Sequence, residues 1–517
     1  MKIPANLFAT GAVIALLTGV QTAHAQSNAT AADEQDNSSL AEIIVTAQKR
    51  SESLQKAPVA ITAVSNEQLV ARGINDIRAI ANLVPSARFN VENNATQVFI
   101  RGVGSSLDVP VIAEGVGIQY NGVYIPRFAT SAGLFDVERV EVLPGPQGTL
   151  YGRAAIGGIV NITGRRPDFN PGMNALVEVG NYNGVHFSGA VNMPLSDTVA
   201  VRGAIDFEHH DGYFSNGSDN KNSVGGRLSL LAKPNDALTI YLWGQYYQNR
   251  NRTATLVYVP STGNPRKIPA VDQRPESLFY FYAPNGLSTT DNMFNHFYTY
   301  QFGGQIDLDL GGVSVSYTPG YVKHAEKSYK DIVGFVQQTD VSGEHFSNEL
   351  RFSNSDPGKL NWLFALYQYH NTQPYAYTFG PAVGQNFPWL AGNDYTSKDD
   401  VYATYGQLTY SLTDAFRLTL GGRYSWERLK MNNGIAIFPN IVGPNPADFL
   451  RGVINFSYRN SWKRFDWKVS AEADVGPQSL VYANVQTGFN PGTFQSGPDR
   501  KSTRLNSSHT DISRMPS

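Results

Sequence analysis

From about residue 172 onward, apolar and polar residues alternate with a period of two in run after run, and turn-forming clusters separate the runs. In Phe416 to Glu427, Phe416, Leu418, Leu420, Gly422, Tyr424 and Trp426 fall on one face. Arg417, Thr419, Gly421, Arg423, Ser425 and Glu427 fall on the other. Val199, Val201, Gly203, Ile205 and Phe207 oppose Arg202, Asp206 and Glu208 in the same way, and Leu238, Ile240, Leu242, Gly244 and Tyr246 form a third apolar face. Burying Arg202 and Asp206 in a sandwich core would be costly, whereas a wet lumen or open solvent accepts them. Aliphatic residues at the middle of the apolar face and aromatics at its ends are the band and girdles of a lipid-facing barrel strand. A soluble β-sandwich accounts for one or two such strands, not for the recurrence of aromatic ends on the apolar side.

Short turns at 195–197, 234–236, 356–358 and 413–414 alternate with long polar connections near 251–293, 371–398 and 431–460. That is the arrangement of short periplasmic turns and longer outer loops in outer-membrane barrels. Roughly thirteen candidate strands lie between 174 and 495, against about 22 in plugged outer-membrane transporters. Composition agrees with a chain of strands and turns: charged residues are 16%, with Gly 48, Tyr 27 and Phe 27. A net charge of −2 gives no argument for nucleic acid as a partner. The chain has no cysteine, so disulfides, thiolate metal sites and cysteine nucleophiles are excluded.

At the N-terminus Lys2 precedes an apolar stretch, Leu7 to Val20, and then Ala23-His24-Ala25. This predicts a secretory signal peptide over 1–25, cleaved near Ala25, because the stretch is too short for a spanning anchor. Residues 26–41 read as a disordered polar linker. A mixed pattern between Glu42 and Arg166 predicts a compact α+β domain. Ser65 with Gln68 forms a capping box for a helix over Asn66 to Ala71, and Asn75 is positioned to cap a second, with Ile77, Ile80 and Ala81 on one face. Strands are expected at Gln97 to Arg101, Val116 to Tyr120 and Glu138 to Leu143.

Glu138 to Ile162 reads as a strand, a Pro144 to Gly148 turn, close backbone approaches at Gly152, Gly157 and Gly158, and another strand. No Gly-Lys-Ser/Thr follows, so it is not a phosphate-binding loop. The segment resembles the plug-domain signature of TonB-dependent outer-membrane receptors. KAPVAITAV, LVPSARFNV, VFIRGVG and VGIQYNGVYIPR match the same family in order. The resemblance implies a plug over 48–166 inside a transmembrane antiparallel barrel over 172–498. Its motif positions are Arg101, Gly102, Glu138, Arg139, Glu141, Gly145, Gln147, Gly148, Tyr151, Gly152, Gly157, Gly158 and Asn161. Pro144 stands where the family usually has Arg, and Ala154 where it often has Asn; the first departure removes a charge that could pair within the plug or with the wall.

Glu42 to Ala47 looks like the TonB box, with Ile43, Ile44, Val45, Thr46 and Ala47 as its residues. A β-branched segment on a flexible linker can add as a strand to a partner's sheet edge, and the implied partner is a TonB-type periplasmic energy transducer. The alternative is that Ile43 to Val45 is simply the first plug strand. At the other terminus, 499–517 drops the alternation, and DRKSTRLNSSH and SRMPS resemble the translation of a sequencing adapter. The expectation is a native sequence that runs off near Pro498 into a non-native tail, with a disordered polar tail as the other reading.

Glu208-His209-His210-Asp211 is weak as a metal site, since adjacent strand residues point to opposite faces. No nucleophile elbow is present. The chain is therefore expected to have no catalytic residues, metal or cofactor. It is expected to reside in the outer membrane of a Gram-negative bacterium, in contact with lipid, and to import a scarce solute under transducer control. Candidate substrate-contacting residues are Arg266, Lys267, Arg274, Tyr280, Tyr282 and Trp389, and predicted loop aromatics also include Phe294, Phe297, Tyr298, Tyr375, Tyr377 and Tyr395. The basic cluster favours an anionic ferric siderophore over a neutral glycan. A secreted β-rich glycan-binding protein or outer-membrane enzyme is the alternative reading, and a diffusion porin the third.

Overall fold

The computed structural model describes residues 44–46, 48–50, 52–92, 95–106, 109–110, 114–152, 155–213, 217–252, 293–332, 335–381, 391–441, 449–476 and 479–492. Two short strands, β1 (Ile44–Val45) and β2 (Glu52–Ser53), pair antiparallel. Then follow β3 (Thr62–Ser65), β4 (Ala87–Glu92), β5 (Ala95–Ile100), β6 (Val103–Gly104), β7 (Val116–Tyr120), β8 (Val123–Tyr124), β9 (Val137–Pro144) and β10 (Gly158–Gly164). A five-stranded sheet has the order β3-β9-β10-β7-β8, in which only β10 and β7 run parallel, and β4-β5-β6 form a second sheet.

The helix Asn66–Ala71 starts at a complete capping box, Ser65 accepting from the Gln68 amide and Gln68 accepting from the Ser65 amide. The next helical segment differs from expectation. It is a 3-10 helix over Ile77–Asn82, and its N-cap is Asp76, not Asn75; the Asp76 carboxylate accepts from the Arg78 amide at 2.7 Å and from the Arg78 guanidinium. An ionised cap that also pairs a charge outcompetes a neutral amide one residue earlier. Ile77 and Ile80 are buried as predicted, and Ala81 packs partly buried against the same core. Arg101 lies beyond β5: it and Gly102 have positive φ (50° and 81°) and form the exposed two-residue turn into β6.

Thirteen strands follow, each hydrogen-bonded to the next in chain order. They are β11 (Gly172–Gly180), β12 (Gly184–Pro194), β13 (Val199–His210), β14 (Lys221–Asn235), β15 (Leu238–Asn251), β16 (Phe294–Asp309) and β17 (Val313–Ile332). The remainder are β18 (Phe335–Asn354), β19 (Leu360–Pro381), β20 (Ala391–Ser411), β21 (Phe416–Ile441), β22 (Phe449–Gly476) and β23 (Ser479–Gln486). Among the described residues the sheet is not closed, and β11 and β23 are its edges.

The alternating faces sort as read from sequence. Leu242, Ile205, Leu408, Leu418, Leu420 and Tyr424 are exposed on the outer side, and Arg202, Asp206, Thr419, Arg423 and Glu427 are buried on the inner side. The inner face is covered by the plug, as the resemblance implies. The plug core of Val64, Leu69, Ile80, Ile118 and Val142 continues onto Leu231, Tyr241, Trp243 and Val322 of the wall.

Two of the expected long connections are mostly strand. β19 and β20 run to Pro381 and from Ala391, and β21 and β22 run to Ile441 and from Phe449, so 371–398 and 431–460 are largely paired backbone. β22 reaches 28 residues, while a bilayer-crossing strand takes about 9–11. Past that length both faces carry polar residues, Asn371, Gln373, Ser397 and Asp399 inward and Thr372, Lys398 and Asp400 outward. The hydropathy alternation therefore vanishes while pairing continues. Phe294, Phe297 and Tyr298 likewise belong to β16, Tyr375 and Tyr377 to β19 and Tyr395 to β20, not to loops.

Candidate functional site

The Glu138–Ile162 segment forms a hairpin whose two arms, β9 and β10, lie in the middle of the plug sheet with Glu141 opposite Asn161. Pro144 continues β9 opposite Gly158, so the turn begins at Gly145 (φ 88°), one residue later than expected. Gly145 and Gln147 donate from their amides to the carbonyls of Gly157 and Ala155 at 2.9 and 2.7 Å, and Gly148–Tyr151 forms one helical turn. Gly152 leaves this turn with φ 78°, and a Cβ there would stand 2.5 Å from the Arg423 guanidinium. At Gly158 a Cβ would collide with the Leu143 carbonyl oxygen, and at Gly157 it would lie 2.9 Å from that of Val103. The glycines thus mark three close approaches, one of them to the barrel wall.

Glu141 is fully buried and gathers the N-terminal segment onto this hairpin. Its carboxylate accepts from the Thr46 amide at 2.9 Å, the Thr46 hydroxyl at 3.3 Å, Arg139 Nε at 2.8 Å and Asn161 Nδ2 at 3.1 Å. Asn161 also donates to Thr46 Oγ1 at 3.1 Å, and the Tyr151 hydroxyl donates to the Thr46 carbonyl at 3.4 Å. Arg139 pairs additionally with Glu138. Burial raises the Tyr151 hydroxyl well above its ordinary range, so it stays protonated and keeps a hydrogen to donate. Val45 is completely buried in a cluster with Leu143, Leu150 and Ile159 of the plug and Leu363, Ala365 and Tyr405 of the wall. Of the expected box residues, Ile44, Val45 and Thr46 are therefore docked; Ile43 and Ala47 lie outside the described residues.

The residues after the box are strapped to the wall. Lys49 bonds Glu349 of β18 at 3.2 Å and lies over the Tyr151 ring, 5.0 Å from its centroid. Burial pushes the Lys49 ammonium down, against the pull of Glu349. Arg50 donates to Asn354 Oδ1 at 3.2 Å and to the Trp362 carbonyl at 2.8 Å, and Gln48 accepts from Gln407 at 3.2 Å.

Glu52, opposite Val45 in the β1–β2 pair, has one buried carboxylate oxygen without a hydrogen bond. Burial first, then the Glu472 charge, pushes its carboxyl from 4.5 up to about 7. Folding then favours the protonated form. The contribution is fully present below about 4.5 and is lost as pH rises toward about 7. Hydrogen exchange at the β1–β2 amides is expected to report easier opening at pH 7 than at pH 5, after correction for intrinsic rates. Glu52→Gln should flatten that dependence; an unchanged slope would assign it to another group.

Wall residues that the sequence placed only as inward-facing complete the arrangement. The Asp136 carboxylate, just before β9 and at φ 50°, accepts from Arg202 Nη2 and Nε of β13 at 2.5 and 2.9 Å and from Arg227 Nη2 of β14 at 2.5 Å. Arg227 also meets the Tyr120 hydroxyl, and Asp206 accepts from or pairs with His186 at 3.0 Å. Arg202, expected to face a wet lumen or open solvent, is instead 5% exposed and paired to the plug, because the plug occupies that space. Arg423 of β21 is sandwiched near the rings of Tyr367 and Tyr405, with centroids 5.4 and 5.1 Å away. Arg101 and Gly102 stand apart, on the exposed β5–β6 turn. Ala154, Arg266, Lys267, Arg274, Tyr280, Tyr282 and Trp389 lie outside the described residues. His210 Nδ1 donates to the Asp211 carbonyl at 2.8 Å, and its ring stacks on Tyr213, 4.7 Å between centroids.

The family model "TonB-dependent Receptor Plug Domain" matches residues 53–159, and "TonB dependent receptor-like, beta-barrel" matches 239–511. The pesticin receptor of Yersinia pestis is 24% identical over 494 residues, covering 90% of this chain and 65% of that protein. The iron-regulated outer membrane virulence protein of Vibrio cholerae is 23% identical over 503 residues, covering 87% of this chain and 66% of that protein. The chain thus spans just under two thirds of the length of these relatives. Among solved structures, the ferric yersiniabactin uptake receptor of Yersinia pestis superposes with a TM-score of 0.71 at 18% identity, covering 88% of this chain and 68% of that one. The closed form of the ferric-catecholate import receptor of E. coli gives 0.64 at 17% identity, covering 88% and 69%.

Proposed function

Since the chain belongs to the TonB-dependent receptor family, we propose that it imports a ferric siderophore across the outer membrane of a Gram-negative bacterium, with a TonB-type transducer pulling on residues 43–47. The observation that carries this reading is the docking of Ile44–Thr46 on Glu141. A two-residue strand with one neighbour, at the start of the plug, is held by hydrogen bonds that a competing sheet edge can replace. Displacing it removes Val45 from the contact between plug and wall and uncovers a buried carboxylate. The work done on the chain is mechanical and needs no covalent chemistry by the protein.

The outer face supports a membrane location over a secreted soluble protein. Leu242, Phe302, Leu366, Leu408 and Leu420, on β15, β16, β19, β20 and β21, are each at least 41% exposed, a belt that bilayer lipid covers and water does not favour. A ferric chelate as cargo is favoured by the basic residues near 250–274 and by relatives that take up ferric yersiniabactin and ferric catecholates.

The test is radio-iron uptake from a panel of ferric siderophores in cells whose other ferric receptors are deleted. Uptake should require both this gene and the transducer. Arg266→Gln with Lys267→Gln should weaken it by lowering affinity at the cell surface. Uptake untouched by the double substitution would remove the electrostatic argument for an anionic chelate, and glycan uptake by the same cells would replace the cargo.

A further inference from the structure

Two cavities lie between plug and wall, against opposite ends of the same strands. One, of about 520 Å³, lies at the long-connection end, where Asn75, Asp76 and Gly133 of the plug face Tyr247, Asn249 and Asn295 of β15 and β16. The other, of about 560 Å³, lies at the short-turn end, where Thr46, Arg139 and Asn161 face Gln305, Asp307 and Glu349. Along β16 only Phe297, Thr299, Gln301 and Gly303 point inward between them.

The separation is made by one plug hairpin and one hydrogen-bonded bridge. Gly303 of β16 and Gly320 of β17 are register partners, so the wall has a recess where neither strand has a side chain. Val123, 1% exposed, fills it: a Cβ at Gly320 would lie 2.5 Å from Val123 Cγ1, and one at Gly303 would lie 2.9 Å from Val123 Cγ2 and 2.7 Å from the Trp243 ring. Val123 follows the Asn121–Gly122 turn (φ 49° and 81°) that joins β7 to β8. Above the recess, Gln245 donates to Gln301, which donates to the Ala129 carbonyl, at 2.8 and 3.2 Å.

We propose that the solute passes along the inner wall of β15–β17, and that the β7–β8 hairpin, seated through Val123 in the Gly303/Gly320 recess, is the gate between the two cavities. The proposal rests on the transport reading above and adds the route. Val123 itself is held in the recess by packing; the adjacent turn adds one neutral hydrogen bond to the wall, from Asn121 Nδ2 to the Tyr241 hydroxyl at 3.2 Å, so the hairpin tip can leave without separating an ion pair. Other contacts of plug and wall, such as Asp136 with Arg202 and Arg227, are buried ion pairs and resist separation. The hairpin is also coupled to the box. Thr46 is bonded to Asn161 of β10, Asn161 is the register partner of Gln119 in β7, and β7 leads into the turn. Thr46 lines the short-turn cavity, so displacing it opens that cavity as well as loosening the gate.

The chain has no cysteine, which makes paired cysteines unambiguous. Val123→Cys with Gly320→Cys ties the hairpin into the recess; the Ser347 hydroxyl, 2.6 Å from the new Cβ, must rotate. A control, Pro146→Cys with Gly488→Cys, ties the plug to the segment that follows β23, the Gly488 Cβ position being 3.2 Å from that of Pro146. The control separation is near the ~3.8 Å between Cβ atoms of a disulfide, and at the first pair the Gly320 Cβ position meets both Val123 methyls, at 2.5 and 2.9 Å, where a cysteine at 123 carries its sulfur. In cells, oxidation of the first pair should abolish energised uptake without loss of surface binding, and reductant should restore it. The control tether should leave uptake intact. Uptake that continues through a closed Val123–Gly320 disulfide, or loss of uptake with both tethers, would overturn the proposal. A parent protein without transducer-dependent uptake would instead sink the transport reading. Val123→Gly avoids any change to the wall. It should give a steady ionic current in planar bilayers that the parent lacks, and a current equal to the parent's counts against the gate.

Discussion

Asp136→Ala is expected to destabilise the seating of the plug against β13 and β14 by about 3–5 kcal/mol, the cost of leaving a buried charge without its partner. Asp136 is the only carboxylate within bonding distance of both Arg202 and Arg227 among the described residues, and the two guanidiniums are 5% and 1% exposed in their side chains. Neither can turn to solvent without crossing the plug. Chemical denaturation of the purified protein in detergent, followed by hydrogen exchange in β9 and β10, reads the loss. Combining Asp136→Ala with Arg227→Ala should recover part of it, because one of the stranded charges is then gone. A loss under about 1 kcal/mol would mean the cluster is solvated and behaves as a surface pair.

Val45→Pro is expected to abolish transducer-dependent uptake while leaving solute binding at the cell surface intact. Proline has no amide hydrogen to give to a partner strand and does not fit an interior strand position. The same substitution removes Val45 from its cluster with Leu143 and Leu363, so a second variant separates the two effects. Val45→Ala keeps the backbone donor and loses only buried methyl groups. It should speed hydrogen exchange in β1 and β2 yet retain uptake. If Val45→Pro imports at the parent rate, residues 44–46 are a structural strand of the plug and the transducer engages elsewhere.

The two halves of the chain were legible to different degrees for identifiable reasons. In the wall, an apolar outer face and an inner face turned to the plug impose a period of two, so Phe416 to Glu427 sorts into faces by inspection, and thirteen strands are countable. Farther along the same strands, the inward pair Gln373–Ser397 and the outward pair Thr372–Lys398 are both polar, so the period is lost although the pairing persists. In the plug, Ser65 and Gln68 specify their helix start locally, within three residues. The choice of Asp76 over Asn75 depended on Arg78 returning to pair with it, which the sequence showed but did not rank.

The sequence by itself determined the order of plug and wall, the strand faces, the glycines that permit close approach, and the docking segment as a β-branched edge strand. Each of these follows from nearest neighbours or from a short repeat, because period, turn chemistry and capping act over a few residues. Only the tertiary structure decided which polar groups meet: Glu141 with Thr46 across 95 positions, Lys49 with Glu349 across 300, and Asp136 with Arg202 across 66. Only it placed Val123 in the recess between Gly303 and Gly320. Those contacts join residues that share no local pattern. Their energy depends on distance and on exclusion of water, and both exist only once the plug is inside the wall.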